Sequence, residues 1–360
     1  MTTDRRARWA PAWLGLGAIV AASIAVRIVL VGRMPAPWIM VDELIYSELG
    51  KSLASDGRFL VRGVPSTGYG FVYPLLIAPA FRAYGSVPQA YAAAKVINAV
   101  VMSLTAIPVY FLARRMLSQW LSLAAAALSV VIPSMLYTGT LMTENAFYPV
   151  FALTALVLVL TLEHPTWVRQ VLLIAVCGLA FATRAQAVAL FGAALVAPVV
   201  HGLIERDLGS RLRRFTPLYA VSAAGALAAV VGSLARGRSP ASLLGAYRAA
   251  TDRGFSVSDA LHYLLWHTAE LDLALGVVGV AALIAMWLSP RSLLASARAF
   301  SAATLSITVL VLVEVAAFAS MQSFRIEERN DFYVAPFAVI ALLGLASRED
   351  VVPRRLRHQL

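Results

Sequence analysis

Long apolar runs separated by short polar segments extend over most of the chain. A helix needs about 20 apolar residues to cross the hydrocarbon core of a bilayer. This rule predicts ten transmembrane helices, near residues 11–33, 90–112, 119–141, 146–162, 168–183, 187–204, 216–235, 271–289, 300–320 and 332–347. The pattern therefore predicts an all-α polytopic membrane protein.

Two stretches need a separate interpretation. Residues 171–204 are too long for one crossing and are broken only by the segment 183–186, so a tight turn is predicted there. The segment 71–84 is apolar but short, and it contains Pro74 and Pro79. It is predicted to be an interfacial or re-entrant helix and not a crossing.

The predicted organisation is a single transmembrane domain over residues 1–360. Two larger loops interrupt it, at 34–89 and 236–270, and both are expected on the extracytoplasmic side. The first loop is expected to carry interfacial helices and an acidic segment. Because the first apolar run, 13–31, ends without a small-residue cleavage site, we expect it to be retained as a helix.

Composition supports the membrane assignment. The chain has 360 residues, of which 60% are hydrophobic and 14% charged, and its net charge is +11. In a membrane protein such a charge is typical of arginines in cytoplasmic loops, and it does not indicate nucleic-acid binding. The single Cys177 excludes an intramolecular disulfide and a cysteine-based zinc site.

Charge distribution orients the chain. Arginines lie mainly in the segments that would be inside, and acids mainly in those that would be outside. Both termini are therefore expected in the cytoplasm, and the protein is expected in the plasma membrane of a bacterium. The first loop, the Glu144 turn, the Arg184 turn, loop 236–270 and the turn 325–331 each follow an odd-numbered span. Their carboxylates and arginines should converge on the extracytoplasmic side.

Adjacent carboxylates in the first loop are the main candidates for chemistry. On a helix that starts at Asp42, this residue lies at the centre of a stripe with Tyr46, whereas Glu43 lies on the flank. The alternative is that Asp42 only caps the helix N-terminus. Glu48 and Lys51 are predicted to form a solvated pair of little energetic weight.

Two further charged residues interrupt apolar surroundings. Glu144 lies in a turn of a few residues, where a simple interfacial role is the alternative. Arg184 breaks the long apolar stretch, and it either reaches lipid phosphates at random or holds a specific phosphate. Gln186 and the matching depth of Glu144 favour a shared polar cavity.

Several segments together resemble the C-type membrane glycosyltransferases, the superfamily of protein O-mannosyltransferases and bacterial aminoarabinose transferases. The similar segments are Asp42-Glu43 with Tyr46, the run 70–85 containing Tyr73 and Pro74, Lys95 with Asn98, Glu144, and the run 328–336 with Arg329 and Tyr333. Asn330-Asp331 replaces the usual aromatic residue after Glu-Arg. The chain also stops soon after the tenth predicted span, whereas many relatives continue.

The resemblance implies sugar transfer from a polyprenyl-phosphate donor to an extracytoplasmic glycan, lipid or protein. In this reading Asp42 is the base, and Glu43 and Glu144 orient the acceptor or the base. Cations would receive the leaving phosphate. The candidates are Arg184, Arg329 and Lys95 for the phosphate, and Tyr46, Tyr73 and Tyr333 for other substrate contacts.

Some questions stay open at this level. Asp42, Glu43 and Glu144 could instead ligate a divalent metal, Mg or Mn, since some related enzymes use one and others do not. A lipid or polysaccharide flippase is the alternative function, although polar groups near the midplane and inverted repeats are not found. An inactive truncated relative or a membrane scaffold is the second alternative.

Overall fold

A computed structural model describes residues 3–34, 36–38, 40–66, 68–237, 239 and 256–347, with side chains from Ala12 onward. The described chain is almost entirely helical. Its α-helices are α1 (Thr3–Gly32), α2 (Val41–Asp56), α3 (Val72–Ala83), α4 (Val87–Ser103), α5 (Ala106–Ala113), α6 (Gln119–Ser129), α7 (Glu144–Glu163), α8 (Trp167–Thr183), α9 (Val188–Glu205), α10 (Leu208–Arg214), α11 (Thr216–Ala235), α12 (Val257–Leu275), α13 (Val277–Leu288), α14 (Ala295–Phe318) and α15 (Ala335–Ser347).

Membrane-spanning helices account for much of this structure. Within the described residues, six helical stretches are long and apolar enough to cross a bilayer, or eight if each of two bent pairs counts as one span. The prediction of a polytopic helical membrane protein is confirmed. The count of ten is not, because α8 and α15 are apolar but shorter.

Two predicted spans are broken by residues that end helices. The predicted span 119–141 forms α6 followed by a 3₁₀ segment from Pro133 to Gly139, with a bend of 55° between them. The predicted span 271–289 is wrong as a straight crossing. Helices α12 and α13 meet there at 113°, and Gly276 between them has φ of 76°, which glycine adopts without strain.

Loop 236–270 is only partly a loop. Residues 240–255 lie outside the described residues, and α12 begins at Val257 with the Ser256 hydroxyl accepting from the Asp259 N–H as an N-cap. The second half of the predicted loop is therefore a helix. Polar residues are distributed among the apolar residues of this helix, and they lower the mean hydropathy of the segment. The hydropathy pattern therefore predicted a loop there.

Contacts divide the chain into two compact units. Unit 1 comprises residues 1–153 and 182–184, and unit 2 comprises 154–181 and 185–360. In unit 1, α2 packs against α3, α3 packs against α4, and α1 runs along α4 and α6. A short antiparallel hairpin, Leu60–Val61 with Val64–Pro65, follows α2.

The first predicted loop is thus a folded layer of unit 1. Leu49 on α2 and Ile77 on α3 are buried with Tyr46 and Tyr73 in one apolar cluster. Gly50 permits the close approach of the two helices, because a Cβ there would lie 2.8 Å from the Ile77 side chain. The helices predicted from Asp42 and over the segment 71–84 are both present, and this layer fixes the position of the acidic segment.

Unit 2 is built around α14, which packs against α9 and α12, while α13 packs against α15. Short polar contacts join its helix ends. The Arg298 guanidinium lies 2.7 Å from the Glu205 carboxylate, and the Gln170 amide donates to the Arg214 carbonyl. These contacts join α9 to α14 and α8 to the end of α10.

Candidate functional site

The N-terminal turn of α2 buries Glu43 and not Asp42. The buried residues of this helix are Glu43, Tyr46, Leu49 and Gly50, whereas Asp42 is half-buried. The expectation that Asp42 lies at the centre of the buried face was therefore wrong. The reason is that polar partners compensate for the burial of Glu43, a possibility that a count of apolar positions does not include.

Glu43 is an anchor for three separate segments of unit 1. Its carboxylate accepts hydrogen bonds from the Trp38 N–H at 3.0 Å, the Leu141 N–H at 3.0 Å and the Tyr91 hydroxyl at 2.6 Å. Only 1% of the residue is exposed. All of these contacts are internal, so Glu43 positions the start of α2 and is not available to a substrate.

Asp42 lies beside this anchor and remains partly accessible. It is in the first turn of α2, but the N-cap residue is Met40 and no side chain caps the helix. The alternative of a simple cap is thus not supported. The Asp42 charge acts on the phenols of Tyr46 and Tyr69, and Tyr69 is 41% exposed. Of the two adjacent carboxylates at the start of α2, Asp42 is therefore the one that remains partly accessible.

Glu144 and Arg184 form a buried ion pair. The guanidinium Nη1 lies 2.7 Å from Glu144 Oε1, with side-chain exposures of 16% and 0%. The same Nη1 donates to the Thr143 hydroxyl at 3.0 Å. Glu144 is also the first residue of α7, where the helix dipole favours a negative charge. The predicted convergence of these two turns is confirmed.

Tyr46 links Asp42 to this ion pair. Burial raises the pKa of its phenol; the Arg184 charge opposes this rise, and the carboxylates of Glu144 and Asp42 add to it. The phenol therefore stays protonated and can donate a hydrogen bond at all physiological pH values. The charges of Asp42, Glu144 and Arg184 all act on the Tyr46 phenol, and we call these four residues together with Thr143 the Asp42–Arg184 cluster.

Tyr73 is a buried residue that packs against Tyr46 of the cluster. Its ring packs edge-on against the ring of Tyr46, with 5.6 Å between centroids, and its hydroxyl donates to the Asn98 side chain at 3.0 Å. Only 1% of Tyr73 is exposed. The structure thus gives Tyr73 a packing role, while its predicted contact with substrate stays a prediction without structural support.

Gly70 fixes the backbone that carries Arg184. A Cβ at this position would lie 2.2 Å from the Thr183 carbonyl oxygen and 2.7 Å from the Ala182 oxygen. Any other residue would push the loop before α3 away from the end of α8. Gly70 therefore holds Arg184 close to the layer formed by α2 and α3.

Lys95 is occupied by the end of α1. Its ammonium donates to the carbonyls of Val31 and Met34 and lies 4.8 Å from the centre of the Tyr91 ring. Only 4% of the residue is exposed. These contacts attach the end of α1 to α4. Because the ammonium is buried and already bonded, the structure does not favour Lys95 as a ligand for phosphate.

Arg329 and Tyr333 belong to unit 2. Arg329 Nε lies 3.5 Å from the Glu327 carboxylate, and Tyr333 is fully buried. Nearby, Asp331 is fully buried, and this burial together with the Glu270 charge raises the pKa of Asp331 well above its usual range. The Asn330-Asp331 departure from the family pattern therefore places a buried carboxyl near the half-buried carboxyl of Glu270, and we call the two the carboxyl pair of unit 2.

Two of the three carboxylates predicted as alternative metal ligands have other partners. Glu43 is held by three donors, and Glu144 is paired with Arg184. Across the described ranges, no group of three His, Cys, Asp or Glu side chains is arranged to hold a metal ion. We therefore derive no chemical step through a metal.

Three contributing residues escaped the sequence analysis as functional candidates. They are Thr143, Tyr91 and Gly70. The Thr143 hydroxyl accepts from Arg184, the Tyr91 hydroxyl donates to Glu43, and Gly70 packs against the Thr183 carbonyl. Thr143 precedes Glu144 and an apolar run, which is a helix-start signal that points to the turn. The partners of Tyr91 and Gly70 are distant in sequence, and no local pattern indicates them.

Comparison with known proteins identifies a similar family and similar folds. Residues 72–234 match the model of the family described as dolichyl-phosphate-mannose-protein mannosyltransferase. The structure of ArnT from Cupriavidus metallidurans bound to undecaprenyl phosphate matches with a TM-score of 0.61 at 16% identity, over 93% of this chain and 60% of that chain. Its apo structure matches with a TM-score of 0.59 at 16% identity, over 97% and 62%. No curated protein matches the sequence.

The chain therefore has the fold of ArnT, a C-type glycosyltransferase, and the predicted resemblance to that class is confirmed. It spans 60–62% of the length of the ArnT chain. The family match begins at α3 and ends in α11, so it includes Glu144 and Arg184 of the cluster.

Proposed function

We propose that the protein transfers a sugar from a polyprenyl-phosphate donor to an acceptor on the extracytoplasmic side of a bacterial plasma membrane. The observation that carries the proposal is the Asp42–Arg184 cluster, in which a partly accessible carboxylate lies near a fixed guanidinium. ArnT, which has the same fold, has been crystallised with undecaprenyl phosphate bound.

The chemistry is a displacement at the anomeric carbon. Asp42 accepts the proton of the acceptor hydroxyl or amine as its oxygen or nitrogen forms a bond to that carbon. The bond from the carbon to the phosphate oxygen breaks, and its electron pair leaves with the polyprenyl phosphate. The Arg184 guanidinium stabilises this departing charge. A single displacement inverts the anomeric configuration.

The two remaining carboxylates have supporting roles. Glu144 holds the guanidinium of Arg184 in place, and Glu43 fixes the first turn of α2 and with it Asp42. The Tyr46 phenol lies between the charges and is placed to donate to the phosphate or the sugar. Roles for Arg329 and Tyr333 at the donor remain part of the proposal, carried by the family resemblance alone.

The test is transfer of radiolabelled sugar by the purified protein from a panel of polyprenyl-phosphate sugars. Wild type and Glu48→Gln, a variant of the exposed face of α2, should transfer label, and Asp42→Asn should not. Equal transfer by Asp42→Asn would refute the proposed base. No transfer with any donor, together with lipid translocation by folded protein in liposomes, would favour the flippase.

A further inference from the structure

An apolar groove lies between α1 and the bent segment formed by α6 and residues 133–139, all within unit 1. Its volume is about 450 Å³. Ala22, Val26 and Leu30 line one wall, and Val131 and Leu136 line the other. Val26, Leu30, Val131 and Leu136 are each more than half exposed, so the groove is open at the surface of a predicted span. In a bilayer such a groove is filled by hydrocarbon.

Arg27 lies at the base of this groove and joins α1 to the bend. Its guanidinium donates to the Met135 carbonyl at 2.9 Å, the Thr138 hydroxyl at 3.4 Å and the Val130 carbonyl, and its Nε donates to Ser23 at 3.3 Å. The break after α6 leaves these carbonyls without helical partners, and Arg27 satisfies them.

Within the described part of the chain, the charge of Arg27 has no acidic partner. Its hydrogen bonds go to neutral groups, and no carboxylate of the described residues lies within ion-pair distance of it. Four of the five guanidinium N–H groups are used, which leaves one on Nη2. A buried cation without a counter-ion is costly in an apolar environment, so an anion at this point would be stabilising.

The depth of Arg27 suits a lipid headgroup. It lies five residues before the end of the predicted span at Gly32, or about 8 Å along the helix axis. The Nε bond to Ser23 keeps the guanidinium at this depth, and an arginine inside a span draws lipid headgroups and water inward by local thinning of the bilayer. A hydrocarbon chain in the groove would then have its headgroup beside Arg27.

We propose that this groove binds one anionic membrane phospholipid, with an acyl chain along α1 and the headgroup phosphate on Arg27. A groove of about 450 Å³ is large enough for one fatty acyl chain. A polyprenyl chain is several times longer, so only a part of it would lie in the groove.

The bound lipid would stabilise the chain segment that precedes Thr143 and Glu144 of the Asp42–Arg184 cluster. Arg27 holds Thr138, and the Asn98 amide donates to the carbonyls of Thr138 and Thr140 at 3.4 and 2.8 Å. The same stretch leads to Thr143 and Glu144. A headgroup on Arg27 therefore stabilises the segment that positions the buried ion pair.

Native mass spectrometry of the delipidated protein, titrated with dioleoyl phosphatidylglycerol or dioleoyl phosphatidylcholine, tests this site. Ala22→Phe fills the groove without touching Arg27, and Ala21→Phe makes the same change at the adjacent exposed position outside it. We expect wild type and Ala21→Phe to bind one phosphatidylglycerol about tenfold more tightly than phosphatidylcholine. Ala22→Phe should weaken this binding about tenfold or more.

Two results would overturn the proposal. One is phosphatidylglycerol binding that is the same in wild type and Ala22→Phe, or no tighter than that of phosphatidylcholine. The other is an Ala22→Phe-sensitive site that takes undecaprenyl phosphate and excludes phosphatidylglycerol, which would assign the groove to the donor lipid. Arg27→Lys, which keeps the charge but loses the planar fork, should reduce the headgroup preference while acyl binding persists.

Discussion

The guanidinium of Arg184 lies 2.7 Å from the carboxylate of Glu144, although the two residues are 40 positions apart in the sequence. Because Glu144 is fully buried, the pair is stable only while both partners are present. The pair fixes a positive charge near the partly accessible carboxylate of Asp42. The proposed function depends on this fixed positive charge.

Removing one partner of the pair should be costly. We expect Glu144→Gln to lower the free energy of unfolding by about 3 kcal/mol, since it leaves the Arg184 charge uncompensated. Glu48→Gln, on the exposed face of α2, should change it by less than about 0.5 kcal/mol. Unfolding in detergent at several denaturant concentrations measures both.

The double variant Glu144→Gln/Arg184→Gln completes the cycle. It should be less destabilised than the sum of the single variants, because neither charge is then left alone. Additive effects would show that the two side chains do not interact in solution.

Glu43 should act through the position of Asp42. Glu43→Ala leaves the Trp38 and Leu141 N–H groups without their acceptor, and each such loss costs about 1–3 kcal/mol. We expect lower stability and a lower kcat, with the donor KM nearly unchanged, and partial rescue of both in Glu43→Gln. A Glu43→Ala protein with the stability of wild type would contradict the role as an anchor.

Gly70 should tolerate no side chain. Gly70→Ala places a Cβ against the Thr183 carbonyl, and relief of the overlap must shift the Arg184 backbone. We expect a destabilisation of about 1–3 kcal/mol together with reduced transfer. Gly85→Ala, where nothing lies within 4 Å of the added carbon, is the matched control and should resemble wild type. Equal thermal stability of the two variants would refute the close approach.

The carboxyl pair of unit 2 should make stability depend on pH. Because the pKa of Asp331 is raised in the folded state, the folded protein retains a proton that the unfolded chain releases. Stability should therefore fall as pH rises above about 4, the ordinary pKa of an aspartate, towards the raised value. Asp331→Asn, which imitates the protonated form, should flatten this dependence between pH 5 and pH 8.

Thermal unfolding in detergent at both pH values measures the effect. Glu163→Gln is a control of the same unit that lies outside the carboxyl pair. A stability of Asp331→Asn that falls with pH as steeply as that of wild type would show that the pair is not the source.

The sequence predicted the parts of the site that depend on local pattern. The helix predicted from Asp42 follows from helical periodicity and begins at Val41 in the structure. The convergence of Glu144 with Arg184 follows from the prediction that both turns lie on one side of the membrane. The solvated pair of Glu48 with Lys51 is also confirmed, at 3.3 Å.

Other features depend on distant partners. The burial of Glu43 requires donors from Tyr91 and Leu141, and the role of Lys95 requires carbonyls at the end of α1. The bend at Gly276 was missed because hydropathy measures apolar length and not helix direction. Such features become visible only when packing brings the segments together.

The division of roles between Asp42 and Arg184 is the central claim, and steady-state kinetics on the identified donor tests it most directly. Asp42→Asn should lower kcat by about 100-fold or more, as loss of a general base does, with the donor KM within about threefold of wild type. Arg184→Ala should raise the donor KM about tenfold or more. An Asp42→Asn enzyme with a wild-type kcat, or an Arg184→Ala enzyme with unchanged kinetics, would contradict the account.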